Sequence, residues 1–272
     1  MPERPAVGRP LPKPPVFDDF EEKVVGINPV LELLRSGSRT VDTVYIDKEK
    51  GGPHFTDMVA LARRTGIKMK VVPRDALDNM SGGLRHQGAL AVVAPKAYED
   101  IDALVGKMAL KAKSGTPPLL VVLDGVEDPH NLGSIIRTAE SAGADGVVIP
   151  EHRAAHLTAS VARASAGAVE YMPVAKVVNV AEFLARLKAK GFWVVGLDED
   201  AKTDYTSFDM TVPLAVVMGG EGKGLRPLVA KACDAVLSLP MLGKVDSLNV
   251  SVSAGVVLYE AVRQRRAAAA KH

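Results

Sequence analysis

The chain has 272 residues, of which 47% are hydrophobic, 24% charged and 4% aromatic, with a formal net charge of +2. That composition belongs to a globular protein and excludes a disordered chain, while the length predicts two folding units. A single cysteine, Cys233, excludes an internal disulfide framework and a multi-cysteine metal centre, so a reducing compartment, the cytosol, is expected. No stretch approaches the roughly 18 apolar residues of a membrane helix.

Residues 1–21 open with MPERPAVGRPLPKPP, six prolines in fifteen residues, which predicts a disordered arm and not an export signal. The first folding unit is expected over 22–96. VVGINPVLELLRSG predicts an extended entry and then a helix from about Pro29, with Val30, Leu31 and Leu34 on one face and Gly37 past its end. VDTVYID is a strand, a helix follows over about 56–65, and MKVV and GALAVVA complete a small α/β unit near Pro95. Between residues 61 and 96, Arg63, Arg64, Lys68, Lys70, Arg74, Arg85 and Lys96 stand against Asp75 and Asp78. A phosphate-facing patch and an ordinary solvated face both fit that pattern.

Residues 97–117 predict a helical or loose connector closed by SGTPP. Beyond it, over 118–266, strands and helices alternate: LLVVLDGV, NLGSIIRTAESAG, GVVIP, a small-residue helix near 154–166, VAEFLARLKAKG, FWVVGLD, PLAVVMG, LRPLVAKAC, AVLSLP and a final helix from about Ser247 to Arg266. Residues 267–272 are a tail, and the basic stretch RQRRAAAAKH reads as a solvated helix end unless it reaches RNA or a second subunit. The strands are near-continuous runs of Val, Leu and Ile, the signature of a parallel sheet covered on both faces. Ligands of such a doubly wound α/β domain sit beyond the carboxyl ends of the strands.

The loop GGEGKGLRP, 219–227, is rich in glycine but is no phosphate cradle. A P-loop requires lysine and a hydroxyl residue after its second glycine, whereas Leu225 and Arg226 follow Gly224. The glycine spacing also misses the dinucleotide fingerprint, and Glu221 would repel a pyrophosphate. Two readings remain: glycines that let a flat or cationic ligand approach the backbone, or a tight strand-to-helix turn. In DPHNLGSIIRTAE, Asn131 is the expected N-cap and Leu132, Ile135, Ile136 and Ala139 form the apolar stripe. Arg137 points away from that stripe and would lie over Gly133 near the electropositive helix end, where a phosphate fits; a plain surface arginine is the alternative. Ser247 and Asn249 open the last helix, with small residues Ser251, Ser253, Ala254 and Gly255 suited to close packing. His130 reads as a surface residue or a base, His86 as an RNA contact or a turn-fixing residue, and Cys233 as packing.

Taken together, NLGSIIRTAE, VVMGGEGKGLR and LPMLGKVDSLNVSVSAGVVLYEAVRQR resemble the three ordered motifs of the SpoU-type RNA 2′-O-ribose methyltransferases of the SPOUT superfamily. SGGLRHQGALAVV is similar to the end of the RNA-binding domain that precedes the catalytic domain in one branch, which methylates a guanosine of bacterial large-subunit ribosomal RNA. The resemblance implies a parallel-sheet domain with a deep trefoil knot, a small L30e-like RNA-binding domain before it, a homodimer, and S-adenosylmethionine as cofactor. It places Gly219, Leu239 and Leu248, with Gly220, Met241 and Asn249, at the cofactor. Asn131, Arg137, Glu221, Ser247 and Asn249 fall on polar active-site positions, and from the local charge pattern Arg63, Arg64 and Arg85, with His86, are the candidate RNA contacts. Ser253 departs from the alanine of many members. Related enzymes act on tRNA, and a non-catalytic RNA-binding factor of the same fold is a further alternative. The chemistry needs no metal, and the scattered histidines offer none. Arg137 is either the base or a phosphate anchor; its guanidinium pKa favours the anchor.

Overall fold

The computed structural model describes residues 22–221 and 224–270; the proline-rich arm and the last two residues of the tail lie outside that range. The first unit contains β1 (Glu22–Val25), α1 (Ile27–Ser36), β2 (Val41–Asp47), α2 (Pro53–Thr65), β3 (Lys68–Val72), α3 (Arg74–Met80) and β4 (Ala89–Val93). Its sheet has the order β1-β4-β2-β3, with β1 and β2 antiparallel to β4 and β3 parallel to β2. Every residue of the inner strand β4 is buried, which is why GALAVVA shows no alternation. Helix α1 stops at Gly37, whose φ of 59° lets its N–H reach the carbonyl of Leu33. Helix α3 escaped the sequence reading because it is a single short stretch with only Leu77 and Met80 buried.

The second unit contains α4 (Ile101–Lys113), β5 (Leu119–Asp124), α5 (Pro129–Ser141), β6 (Gly146–Pro150), α6 (Ala159–Ala164), β7 (Val174–Val177), α7 (Val180–Lys188), β8 (Trp193–Leu197), β9 (Thr203–Asp204), β10 (Leu214–Gly219), α8 (Pro227–Ala232), β11 (Ala235–Ser238) and α9 (Val250–Ala269). All seven strands pair in parallel, in the order β7-β6-β5-β10-β8-β11-β9. Successive side chains of β5 alternate between two cores. Leu119, Val121 and Leu123 meet Ile135, Ile136, Val257 and Leu258 of α5 and α9. Leu120 and Val122 meet Leu104, Met108, Leu184 and Val229 of α4, α7 and α8. Each large aliphatic side chain so buried contributes about 1.5–3 kcal/mol.

Two expectations change, and a third is narrowed to one of its alternatives. The connector is helical, and α4 is no loose tether: Leu104, Val105 and Met108 are buried against the large sheet. The small-residue helix shrinks to Ala159–Ala164, capped by Thr158, because the stretch before it is irregular. The basic end of α9 is not wholly solvated. Arg265 donates to the carbonyls of Pro117, Pro118, Met210 and Val212, fastening the helix across the start of β5.

The two units are docked through a buried carboxylate. Glu170, in a 3-10 turn after α6, accepts hydrogen bonds from the Ser38 hydroxyl at 2.6 Å and from Arg39 at 2.6 Å. Arg39 also donates to Glu22 at 2.8 Å, and the Lys96 ammonium donates to the Glu170 carbonyl at 3.1 Å. Burial pulls the Lys96 pKa down, against the pull of Glu170 in the other direction. No helix of the described residues is long and apolar enough to cross a membrane.

Candidate active site

The carboxyl ends of β8, β10 and β11 open into a cavity of about 520 Å³. Its walls come from three separate segments: Leu197 to Asp200 after β8, Met218 to Glu221 with Gly224 after β10, and Leu239, Met241 and Asp246 to Val250 between β11 and α9, with Ser253 on the helix. Gly219, Gly220, Leu239, Met241, Leu248 and Asn249, expected at the cofactor, all line this one cavity, as do Glu221 and Ser247. Asp198, Glu199, Asp200, Glu221 and Asp246 make the wall acidic, and none of the described lining residues is basic. Leu197, Met218, Leu237, Leu239, Met241 and Leu248 supply an apolar wall.

Asn131 does not line the cavity but is tied to it. Its amide donates to the carboxylate of Glu221, and Asn249 donates from its own amide to the Asn131 oxygen at 3.0 Å. One chain of hydrogen bonds therefore joins three segments distant in sequence. Asn131 is not the N-cap of α5, as the sequence suggested. Asp128 takes that place, accepting from the backbone N–H of His130, with Pro129 in the first turn, so Asn131 sits inside the helix and its amide is free to reach Glu221. At the last helix the cap is Asn249, which accepts from the N–H and the hydroxyl of Ser251; Ser247 stays in the preceding irregular segment.

The glycines of the loop fit the tight-turn reading. A Cβ on Gly219 would stand 2.2 Å from the carbonyl carbon of Gly224, and one on Gly220 would stand 2.3 Å from the carbonyl oxygen of Gly125. The loop folds back on itself, with Gly224 donating to Gly220 at 3.2 Å and adopting φ 58°. Backbone packing against protein excludes side chains here. The far end of the loop is held by Asp124, whose buried carboxylate accepts from the Arg226 N–H at 3.0 Å and from its Nε at 2.6 Å.

Arg137 is exposed on α5 and is not among the residues lining the cavity. Gly133 does not leave room beneath it: a Cβ there would stand 2.5 Å from the Cβ of Ala164 and 2.9 Å from the Val161 carbonyl, so this glycine faces α6. His130 is exposed. Cys233 packs beside Gly196, and burial, with Asp234 adding to it, pushes its thiol up to about 12. In the first unit, Arg63 and Arg64 lie in the last turn of α2, and Arg85 and His86 lie between α3 and β4. His86 is buried, its Nε2 2.9 Å from Asp78 and its Nδ1 accepting from the N–H of Gly88, so it fixes the turn. Among the described residues no group of three or more His, Cys, Asp or Glu side chains is placed to hold a metal ion.

Sequence reasoning passed over Asp124 and the acidic run Asp198 to Asp200. Both had a signal: each is a carboxylate at the carboxyl end of a continuous apolar strand, the place where a parallel sheet presents its ligands.

Residues 118–259 match the SpoU rRNA Methylase family, and residues 23–99 match the family described as RNA 2′-O ribose methyltransferase substrate binding. YacO of Bacillus subtilis strain 168, whose name places it in the TrmH family of tRNA/rRNA methyltransferases, is 45% identical over 242 residues, 89% of this chain and 95% of its own. The 23S rRNA (guanosine-2′-O-)-methyltransferase RlmB of Pseudomonas putida is 40% identical over 248 residues, 90% of this chain and 97% of its own. Among solved structures, the SpoU methyltransferase AviRb from Streptomyces viridochromogenes in complex with AdoMet superposes with a TM-score of 0.75 at 28% identity, covering 91% of this chain and 92% of that one. With both of its units matched and its sheet ends built into a single acidic cavity, the chain belongs to the SpoU rRNA methylase family.

Proposed function

We propose that this protein transfers a methyl group from S-adenosylmethionine to the ribose 2′-hydroxyl of a guanosine in large-subunit ribosomal RNA. The observation that carries the reading is the hydrogen-bonded chain Asn249–Asn131–Glu221 at the rim of the acidic cavity. The cavity suits the cofactor chemically. Its carboxylates favour a molecule bearing a sulfonium and an ammonium, and its leucines and methionines favour a flat base. Gly219, Gly220, Leu239, Met241, Leu248 and Asn249 would hold it.

Bound there, S-adenosylmethionine supplies an electrophilic methyl group, so the reaction requires alignment of the hydroxyl and loss of one proton. Asn131 and Asn249 fix the carboxylate of Glu221 in place. Arg137, exposed on α5 and carrying a planar guanidinium that only donates hydrogen bonds, is assigned to the RNA phosphate beside the target ribose and not to proton abstraction. Ser247 lies on the cavity wall within the segment that carries Leu248 and Asn249.

The family resemblance further supports a trefoil knot formed by the segments around the cavity, an L30e-like first unit, and a homodimer. Exposed Leu242, Val245, Val252 and Tyr259 at the end of the cavity loop and along α9 suit an interface between copies. The rRNA target is favoured by the similarity to RlmB over nearly the whole of both chains. Incubating the purified protein with S-adenosylmethionine and either large-subunit rRNA or tRNA, followed by nucleoside mass spectrometry, tests the reading. 2′-O-methylguanosine formed in the rRNA supports it. Methylation of tRNA alone, or of neither, replaces it with the tRNA enzyme or the non-catalytic factor.

A further inference from the structure

A second cavity, of about 460 Å³, lies in the first unit and is lined by Ile27, Asn28, Lys50, His54, Arg74 and Arg85, with Asp47, Asp78 and the turn His86 to Gly88 at its base. Its volume is that of a small-molecule site. The two carboxylates are already engaged. Asp47 is buried and accepts from the Glu49 N–H at 3.0 Å, and Asp78 meets His86 at 2.9 Å. Lys50, Arg74 and Arg85 are exposed and have no carboxylate within salt-bridge distance among the described residues. The turn between them is built to keep its shape. Gln87 holds φ 56°, its side-chain oxygen accepts from the Ile27 N–H at 3.4 Å, and a Cβ on Gly88 would stand 2.7 Å from Lys50.

Three cations without a carboxylate partner around a concave floor, with the exposed imidazole of His54 and the side chain of Ile27 beside them, match one nucleotide: a phosphate for the cations, a base for His54 and Ile27. We propose that this cavity binds a single unstacked nucleotide of the RNA, other than the one that is methylated, and so anchors the substrate at a distance from the transfer site. The proposal rests on the reading of RNA as the substrate. It differs from the basic end of α2: Arg63 and Arg64 do not line the cavity.

The test compares the whole protein with Arg74→Ala/Arg85→Ala and with Lys113→Ala/Lys190→Ala, two exposed lysines outside both cavities, as a charge-matched control. Binding of fluorescently labelled large-subunit rRNA fragments is followed by anisotropy across a salt series. The cavity variant is expected to bind at least about 10-fold more weakly and to lose about one unit of salt slope for each arginine, with the control less affected. In the methylation assay KM for RNA rises while kcat at saturating RNA and the affinity for S-adenosylmethionine stay unchanged. A complementary titration of ¹⁵N-labelled protein with guanosine 5′-monophosphate, and separately with inorganic phosphate, should shift the Lys50, His54 and Gly88 amides more with the nucleotide. Equal losses in both double variants, or shifts from phosphate alone, overturn the proposal. So does nucleotide binding without any change in RNA affinity. Because anisotropy and amide shifts need no methyl transfer, failure of the catalytic reading is visible separately, as an absence of product with the wild-type protein.

Discussion

Asn249 and Asn131, 118 residues apart in the chain, meet through an amide-to-oxygen hydrogen bond of 3.0 Å that fixes the start of α9 against the first turn of α5. Asn249 does two things at once, since its oxygen also caps α9. Substitutions can separate them. Asn249→Ala removes both, with an expected loss of about 1 kcal/mol of stability from the cap and about 100-fold in methyl transfer from the misplaced Glu221 segment. Asn249→Ser keeps a capping oxygen but no amide donor, so thermal denaturation recovers while single-turnover methylation stays low. Wild-type rates in the serine variant contradict the positioning role.

Gly220 faces the backbone of Gly125, and an added methyl group has nowhere to go. Gly220→Ala is expected to cost about 1–3 kcal/mol and to weaken S-adenosylmethionine binding by calorimetry. Gly243, in the loop that follows β11, has no atom closer than 4.0 Å to a notional Cβ, so Gly243→Ala leaves both quantities near wild type.

The side chain of Asp124 is fully buried, while that of Arg226 is 50% exposed. Arg226→Ala strands a buried carboxylate and is expected to cost about 2 kcal/mol in urea unfolding. Asp124→Asn removes the buried charge and keeps an acceptor for the Arg226 N–H, so it costs less. Equal losses would show that the pair is not asymmetric in the way its burial requires.

Cys233 carries a thiol raised to about 12 by burial, and is therefore almost wholly protonated at pH 8. Iodoacetamide should label it on the order of 100-fold more slowly in the native protein than in urea, because the thiolate is the nucleophile. Comparable rates in the two states would mean that the α8 end opens readily.

Much of this architecture was legible in the sequence because the parallel sheet is buried on both faces. Runs such as LLVVLD and LAVVMG are apolar at every position, and both are strands. The apolar stripe of α5 followed from the spacing of Leu132, Ile135, Ile136 and Ala139, all of them fully buried. What escaped were short elements whose neighbours decide them. β7 has only four residues, one of them Lys176, and α3 buries two side chains. Caps slipped by a few residues because Asp128, Asn131, Ser247 and Asn249 are all good capping residues, and only tertiary contacts choose among them. The loop glycines were legible as a tight turn, but not the contacts that require them: which backbone faces Gly133, Gly219 or Gly220 depends on tertiary packing.

The central claim is that loops after β8, β10 and β11 form one pocket for a cationic sulfur-bearing cofactor. Titration calorimetry of S-adenosylmethionine into the purified protein tests it most directly, alongside Leu248→Arg, a change at a half-exposed cavity residue. One molecule bound per wild-type chain, weakened at least about 10-fold by the introduced bulk and positive charge, is the predicted result. No binding to the wild-type protein, or equal binding to both, contradicts the account.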